Sequence, residues 1–233
     1  MLYLNGFLLS YLKYGDNDCV MHCFTKEKGY QSLFVKGVYG KKSKQKAYLQ
    51  PLAELCFTLY KKPAAGSMLP VSKLELAAGS HLPQNIKANA VVFFIADFLN
   101  QVLRNEEINP RIYAEVAHFL EEMDRNNYRA HLIFLLRFLE ISGVHPLIGS
   151  GRFLDPESGN FIDIKVHDLF DDELSSIWKE VLTSAAPYTV AISTSHRKRF
   201  LESILVYYHY HFSDFRIPSS LEIVQQLFQT DGH

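Results

Sequence analysis

The apolar residues of this chain change their period once, and that change constrains the fold more than any other feature. From residue 7 to residue 77, short apolar runs alternate with turn residues, as is typical of paired strands. Residues 78–85 are rich in Gly, Ser, Pro and Asn, and after them the apolar residues recur with a helical period of about 3.6 residues. The sequence therefore predicts a strand-rich domain at 1–80 and a helical domain at 81–233.

The first domain is predicted to hold five strands. They cover residues 7–12, 19–25, 30–38, 52–60 and 68–77, and a hairpin turn with a glycine of positive φ lies at 26–29. Five short strands in a segment of this length match an OB-type barrel. We expect an α+β multidomain fold, with an N-terminal five-stranded OB-type β-barrel followed by an all-α helical domain.

The second domain is predicted to be helical apart from one irregular excursion. Helices are expected at 86–103, after Asn109-Pro110, and at 128–141, 173–183, 195–212 and 221–228. The first of them is apolar nearly all round and is expected at the centre of a helical bundle. Residues 143–168 are rich in Gly, Pro, Asp and Ser and should be irregular, with a short strand at 161–164.

Charge and cysteine content narrow the function. Residues 1–80 carry 11 Lys/Arg against 5 Asp/Glu, whereas residues 81–233 carry 13 against 20, so the first domain is the part expected to face a polyanion. The three cysteines, Cys19, Cys23 and Cys56, are too few for a disulfide framework and lie too early for a zinc site in the later domain. Cys19 and Cys23 lie in an apolar run and are expected to be strand residues.

The sequence has no segment that would place the protein in or across a membrane. It contains no apolar run of the length that spans a bilayer, and its first residues lack the pattern of a signal peptide. We therefore expect a soluble, cytoplasmic protein with no membrane partner.

The strongest local motif is a basic segment after the third predicted strand. Between residues 30 and 50 there are five lysines and no acidic residue. Lysines neutralise phosphates, and the rings of Tyr39 and Tyr48, which flank the lysines, could stack on unpaired bases. We interpret the segment as a loop that binds single-stranded nucleic acid, although a lysine run is often only a solvated charged loop. The predicted DNA-binding residues of this segment are Lys36, Tyr39, Lys41, Lys42, Lys44 and Lys46.

A second basic cluster, Arg197-Lys198-Arg199, opens the long helix predicted at 195–212. Three cations at a helix N-terminus oppose the helix dipole, so they need a partner. A second phosphate contact and a salt bridge to the acidic domain explain them equally well.

Catalytic and metal motifs are not supported. Gly149-Ser150-Gly151 lacks the lysine of a phosphate loop, and Ser195 and His196 are adjacent, which is not the pattern of a catalytic triad. We expect no enzyme activity, no catalytic residue, no metal site and no cofactor. A hydrolase is a further class, but no nucleophile with a nearby base supports it.

The run FVKGVYGKKSKQKAYLQPL at 34–52 resembles the N-terminal barrel of the RecO family of bacterial recombination mediators. That family has a strand ending in Lys-Gly, a basic segment and an Ala-Leu-Gln-Pro-like stretch, which correspond here to Lys36-Gly37, residues 41–46 and Leu49-Gln50-Pro51. Residues 13–16 and 24–29 also look like the family's first hairpins, and 134–143 resembles its central helix. The resemblance is specific for 7–52 and loose beyond 145.

The resemblance implies a function in DNA repair. Members of the family bind single- and double-stranded DNA and anneal complementary strands. They act with RecR and, in some bacteria, RecF to help RecA replace single-strand-binding protein, whose C-terminal tail binds their helical domain. A bacterial, nucleoid-associated location is also implied. The alternative is a protein-interaction adaptor whose basic loop binds an acidic partner.

This chain departs from the family pattern at one point. Many members carry a four-cysteine zinc module just after the central helix, whereas residues 144–151 here contain no cysteine. We therefore expect residues 143–168 to form a zinc-free excursion that is stabilised by packing.

Overall fold

A computed structural model describes residues 2–60, 68–80, 83 and 85–229. Its N-terminal part is a closed barrel of five strands in the order β1-β2-β3-β5-β4. Neighbouring strands are antiparallel except β3 and β5, which are parallel. This is the predicted OB fold. The strands are β1 (Leu2–Tyr14), β2 (Asp18–Thr25), β3 (Gly29–Val35), β4 (Glu54–Leu59) and β5 (Leu69–Leu76).

Alternating side chains build the barrel core, since successive residues of a strand point to opposite faces. Leu55, Phe57 and Leu59 of β4 are buried inward while the residues between them are partly exposed. A bulge between Leu8 and Ser10 shifts the pairing of β1 with β2. A bulge bends the strand that contains it. The long strand β1 pairs with both β2 and β4.

The predicted helices are present within the described residues, with ends that differ by a few positions. They are α1 (Ile86–Val102), α2 (Pro110–Asp124), α3 (Ala130–Ile141), α4 (Asp172–Thr183), α5 (Thr194–His211) and α6 (Leu221–Gln229). Short 3-10 turns occur at Gln45–Tyr48 and Pro187–Thr189. The strand expected at 161–164 is β7 (Asn160–Ile162), and it pairs with β6 (Phe153–Asp155), which the sequence did not predict. Across the described ranges, no helix combines the length and apolar character needed to span a membrane.

The contacts divide the chain into two compact units. The first comprises residues 1–114 together with 218–233, and the second comprises residues 115–217. The expectation that α1 lies at the centre of a helical bundle is therefore wrong, because α1 belongs to the first unit and packs against β1 and α6. The predicted boundary at residue 80 coincides with the change from strands to helices. The compact units are instead divided after residue 114 and after residue 217.

The second unit has its own aromatic core. Trp178 is fully buried, and its indole N–H donates a hydrogen bond of 3.0 Å to the hydroxyl of Ser203. The rings of Phe170, Phe200 and Tyr207 surround that indole. Because a buried donor without an acceptor costs free energy, the Ser203 hydroxyl lets the tryptophan occupy this position.

Candidate nucleic-acid interface

The predicted basic loop begins where β3 ends, and its first residues are anchored to the turn between β1 and β2. The N–H of Gly37 donates to the carboxylate of Asp18 at 2.9 Å, and the N–H of Tyr39 donates to the carbonyl of Asn17 at 2.9 Å. Val38 between them is fully buried in the barrel core. Gly37 has a φ of 73°, a conformation that glycine adopts without strain. The loop is therefore held against one end of the barrel.

The rest of the loop is a series of backbone-bonded turns. Gly40 donates to the carbonyl of Gly37 at 3.0 Å, Ser43 donates to that of Gly40 at 2.9 Å, and a 3-10 turn follows at Gln45–Tyr48. These bonds satisfy several backbone groups within the loop itself.

All five lysines of the loop are exposed, and none forms an ion pair with another described residue. Their charges therefore face solvent at one end of the barrel, where they could contact phosphates. They are Lys36, Lys41, Lys42, Lys44 and Lys46.

The two tyrosines of the loop have a different position. Tyr39 and Tyr48 are half-buried and pack against the barrel core. The ammonium of Lys13 lies 5.7 Å from the centroid of the Tyr39 ring, and burial raises the pKa of the Tyr39 hydroxyl. Part of each ring is thus already occupied by intramolecular packing.

The fold brings other aromatic and apolar side chains beside the loop, and sequence reasoning missed them. Tyr11, Leu12 and Tyr14 at the end of β1 are exposed, and Phe34 of β3 lies next to Tyr14. The sequence did contain a signal for these exposed side chains. The run YLKY before the turn at 15–17 places large apolar residues beyond the buried part of β1.

The second basic cluster lies in the second unit, near the start of α5. Arg199 forms an ion pair with Asp171, and this hydrogen-bonded partner raises the pKa of Arg199. The Nε of Arg197 donates to the carbonyl of Ile192 at 3.1 Å, and burial lowers the pKa of Arg197. Lys198 is exposed. The sequence left two explanations for this cluster, a phosphate contact and a salt bridge. For Arg199 the structure shows a salt bridge.

Residues 143–168 form an excursion that is packed by polar and apolar contacts. The N–H of Leu154 donates to the Ser175 hydroxyl at 3.0 Å, and the Tyr207 hydroxyl donates to the carbonyl of Val144 at 2.9 Å. The ammonium of Lys179 lies 4.6 Å from the centroid of the Phe161 ring. Within the described part of the chain, no three His, Cys, Asp or Glu residues are grouped to hold a metal ion. The residues of this excursion do not fit a four-cysteine zinc site.

Comparison with known proteins decides the family. Residues 1–78 match the sequence model described as Recombination protein O N terminal, and residues 83–148 match the one described as Recombination protein O C terminal. The chain belongs to the RecO family.

Curated RecO proteins align with nearly the whole chain. The DNA repair protein RecO of Flavobacterium psychrophilum is 26% identical over 230 residues, which cover 95% of this chain and 96% of that protein. The DNA repair protein RecO of Phocaeicola vulgatus is 28% identical over 234 residues, which cover 96% of this chain and 97% of that protein. The RecO resemblance read from residues 7–52 is therefore confirmed, and the alignments extend it beyond residue 145. RecO membership supports a role in DNA repair.

Proposed function

We propose that this protein is a DNA-binding recombination mediator that acts in DNA repair, and that the loop at 36–46 holds DNA phosphates. The observation that carries the proposal is a set of five exposed lysines on an OB barrel, without an acidic residue between 30 and 50. Each lysine that neutralises a phosphate releases condensed counterions, which favours binding at low salt. The protein would make or break no bond and would need no cofactor.

The finer steps of the proposal follow from the RecO family. The protein would bind and anneal single-stranded DNA, because lysines that neutralise both strands reduce their mutual repulsion. It would act with RecR and, in some bacteria, RecF to help RecA load onto DNA coated by single-strand-binding protein, and its helical domain would receive the C-terminal tail of that protein. Of the second basic cluster, exposed Lys198 would add a phosphate contact, whereas Arg199 is paired with Asp171 and Arg197 donates to the Ile192 carbonyl. Its location would be the bacterial cytoplasm, at the nucleoid.

Replacement of Lys41, Lys42, Lys44 and Lys46 with alanine tests the loop. Loss of four phosphate contacts should weaken binding to a single-stranded oligonucleotide by at least tenfold and lower the slope of log K against log salt by about 3. Fluorescence anisotropy at several salt concentrations measures both quantities. Unchanged affinity together with an unchanged slope would contradict the proposal.

The matched control removes two lysines from the opposite end of the β2–β3 hairpin. Lys26 and Lys28 are exposed in the turn that joins these strands, so their double alanine variant has the same net charge as the Lys41 and Lys42 double variant. The loop pair should weaken DNA binding much more than the turn pair. Equal effects would mean that only net charge matters. A wild-type protein that binds a poly-glutamate peptide more tightly than the oligonucleotide would favour the adaptor function instead.

A further inference from the structure

The outer face of β1, β2 and β3 carries an apolar row at the end of the barrel where the basic loop begins. In the pairing register, Leu12 lies opposite Val20, and Val20 lies opposite Phe34. The residues that alternate with them, such as Met21 and Leu33, are fully buried in the barrel core. Because side chains alternate along a strand, the row Leu12, Val20 and Phe34 points away from that core.

This row continues into an exposed tyrosine. Tyr14 lies two residues beyond Leu12 and so on the same face of β1. Leu12 is 63% exposed and Tyr14 is 58% exposed. Val20, which lies between Leu12 and Phe34 in the row, is only 8% exposed. The ring of Tyr14 meets the half-buried ring of Phe34 edge to face, with centroids 5.6 Å apart. Exposed apolar side chains that form one patch indicate a binding surface.

Helix α1 covers the adjacent row of residues on this face, which includes Ser10 and His22, and leaves the apolar row exposed. Ser10 and Tyr30 both donate hydrogen bonds to the side-chain oxygen of Asn100 in α1, at 3.1 and 3.0 Å. His22 lies opposite Ser10 in the register and stacks on Tyr30, with ring centroids 5.9 Å apart. The part of the face that α1 does not cover starts at Leu12.

The exposed lysines outnumber the acidic residues at this end of the barrel. Lys36 lies two residues beyond Phe34 and is exposed, and the remaining loop lysines follow it in the chain. Lys13 alternates with Leu12 and Tyr14, so it lies on the other face of β1, near the ring of Tyr39. The acidic groups at this end are Asp16, exposed in the β1–β2 turn, and Asp18, whose carboxylate accepts the N–H of Gly37. A polyanion with apolar rings complements such a surface, whereas an apolar partner alone would leave the lysines unpaired.

We propose that Leu12, Tyr14 and Phe34 form a platform on which unpaired bases of single-stranded DNA stack while the loop lysines hold its phosphates. The proposal rests on the proposed DNA-binding function and adds the surface that selects single strands. Aromatic and apolar side chains can stack on a base only when that base is not already stacked inside a duplex. The lysines, in contrast, contact phosphates in single and double strands alike.

The test separates stacking from charge. The variants Leu12→Ala and Tyr14→Ala remove exposed side chains, so both should fold, which circular dichroism and the melting temperature would verify. Together they should weaken binding to an oligo-dT strand by about tenfold. Affinity for a blunt hairpin duplex should change by less than about twofold, with an unchanged salt slope, because the phosphate contacts remain. Tyr210→Ala, which removes an exposed tyrosine of α5, is the matched control and should change neither affinity.

A second variant gives a direct signal. The chain has one tryptophan, Trp178, which is fully buried in the second unit. In Tyr14→Trp, the added indole should be quenched by oligo-dT and not by the duplex, since stacking on a base quenches indole fluorescence.

The outcomes distinguish this proposal from the proposed function. If the wild type binds no DNA at all, the proposed function fails. If the lysine variants lose binding while the Leu12 and Tyr14 variants retain full affinity for oligo-dT, the function stands and the platform is overturned. An equal loss of single-strand and duplex affinity in folded platform variants would also overturn it, because bases would then not be the group recognised.

Discussion

Gly29 is a residue whose identity is dictated by its surroundings. Its φ is 65°, and a Cβ placed on it would lie 2.4 Å from the backbone oxygens of Glu106 and Glu107. The next residue, Tyr30, donates its N–H to the carbonyl of Glu106 at 3.0 Å. A side chain at 29 would therefore push the 106–107 backbone away from the start of β3 and break this bond.

We expect Gly29→Ala to destabilise the protein, and Gly15→Ala provides the matched comparison. Gly15 has a φ of 57°, but nothing lies within 4 Å of the Cβ it would gain. Gly15→Ala should cost about 1 kcal/mol of unfolding free energy for its left-handed conformation alone. Gly29→Ala should cost about 2 kcal/mol more, because it adds the clash with backbone. Urea unfolding measures the difference, and equal costs would mean that the 106–107 backbone yields freely.

The residues of the candidate site could be predicted from sequence only in part. The exposure of the lysines could be predicted, because a run of like charges must be solvated in any fold. The half-buried state of Tyr39 could not be predicted, since burial depends on which residues pack against the ring. Tyr14 and Phe34 are 20 positions apart, and only the strand register shows that their rings meet.

At the level of elements, local periodicity predicted most strands and helices because an exposed strand or helix face repeats regularly along the chain. It did not predict β6, which has three residues and exists through its pairing with β7. It also misplaced α1. An all-round apolar pattern indicates burial, but it does not reveal whether the covering surface is a helical bundle or a barrel.

The excursion with β6 and β7 is stabilised in part by a buried serine of α4. Ser175 of α4 is fully buried, accepts the N–H of Leu154 at 3.0 Å and donates to the carbonyl of Phe170 at 3.1 Å. Ser175→Ala should cost about 1–3 kcal/mol of unfolding free energy, since it leaves the buried N–H of Leu154 without an acceptor.

Its control is Ser176→Ala, an exposed neighbour on the same helix, which should change stability by less than about 0.5 kcal/mol. Chemical denaturation followed by Trp178 fluorescence measures both variants, and a chelator should leave the wild-type transition unchanged. A stoichiometric zinc ion in the purified protein would contradict the zinc-free interpretation.

At the level of the whole molecule, the first unit is discontinuous in sequence. Helix α6 packs on α1, and the hydroxyl of Ser220 donates to the carboxylate of Asp97 at 2.8 Å. Val224 is 2% exposed in this arrangement. Helix α6 therefore completes the unit that contains the barrel, although it lies far from the barrel in sequence.

Removal of residues 218–233 should destabilise the first unit selectively. Amide hydrogen exchange in α1 and β1 should become faster, because α1 loses the apolar surface of α6 that packs on it. The denaturation transition of Trp178, which lies in the second unit, should remain close to that of the full chain. The single substitution Val224→Ala should act in the same direction, and Glu222→Ala, at an exposed position, serves as its control. Equal acceleration of exchange in both units would contradict this expectation.

The discontinuity has a consequence for synthesis on the ribosome. Residues 2–114 emerge early, but α6, which completes their unit, is translated only after the second unit. The second unit is continuous, so all its residues are available before α6 is made. Since domains fold as their residues emerge, the barrel unit can be finished only after the second unit has been translated. A premature stop codon just before α6 would therefore damage the barrel unit, although every residue of the second unit had been made.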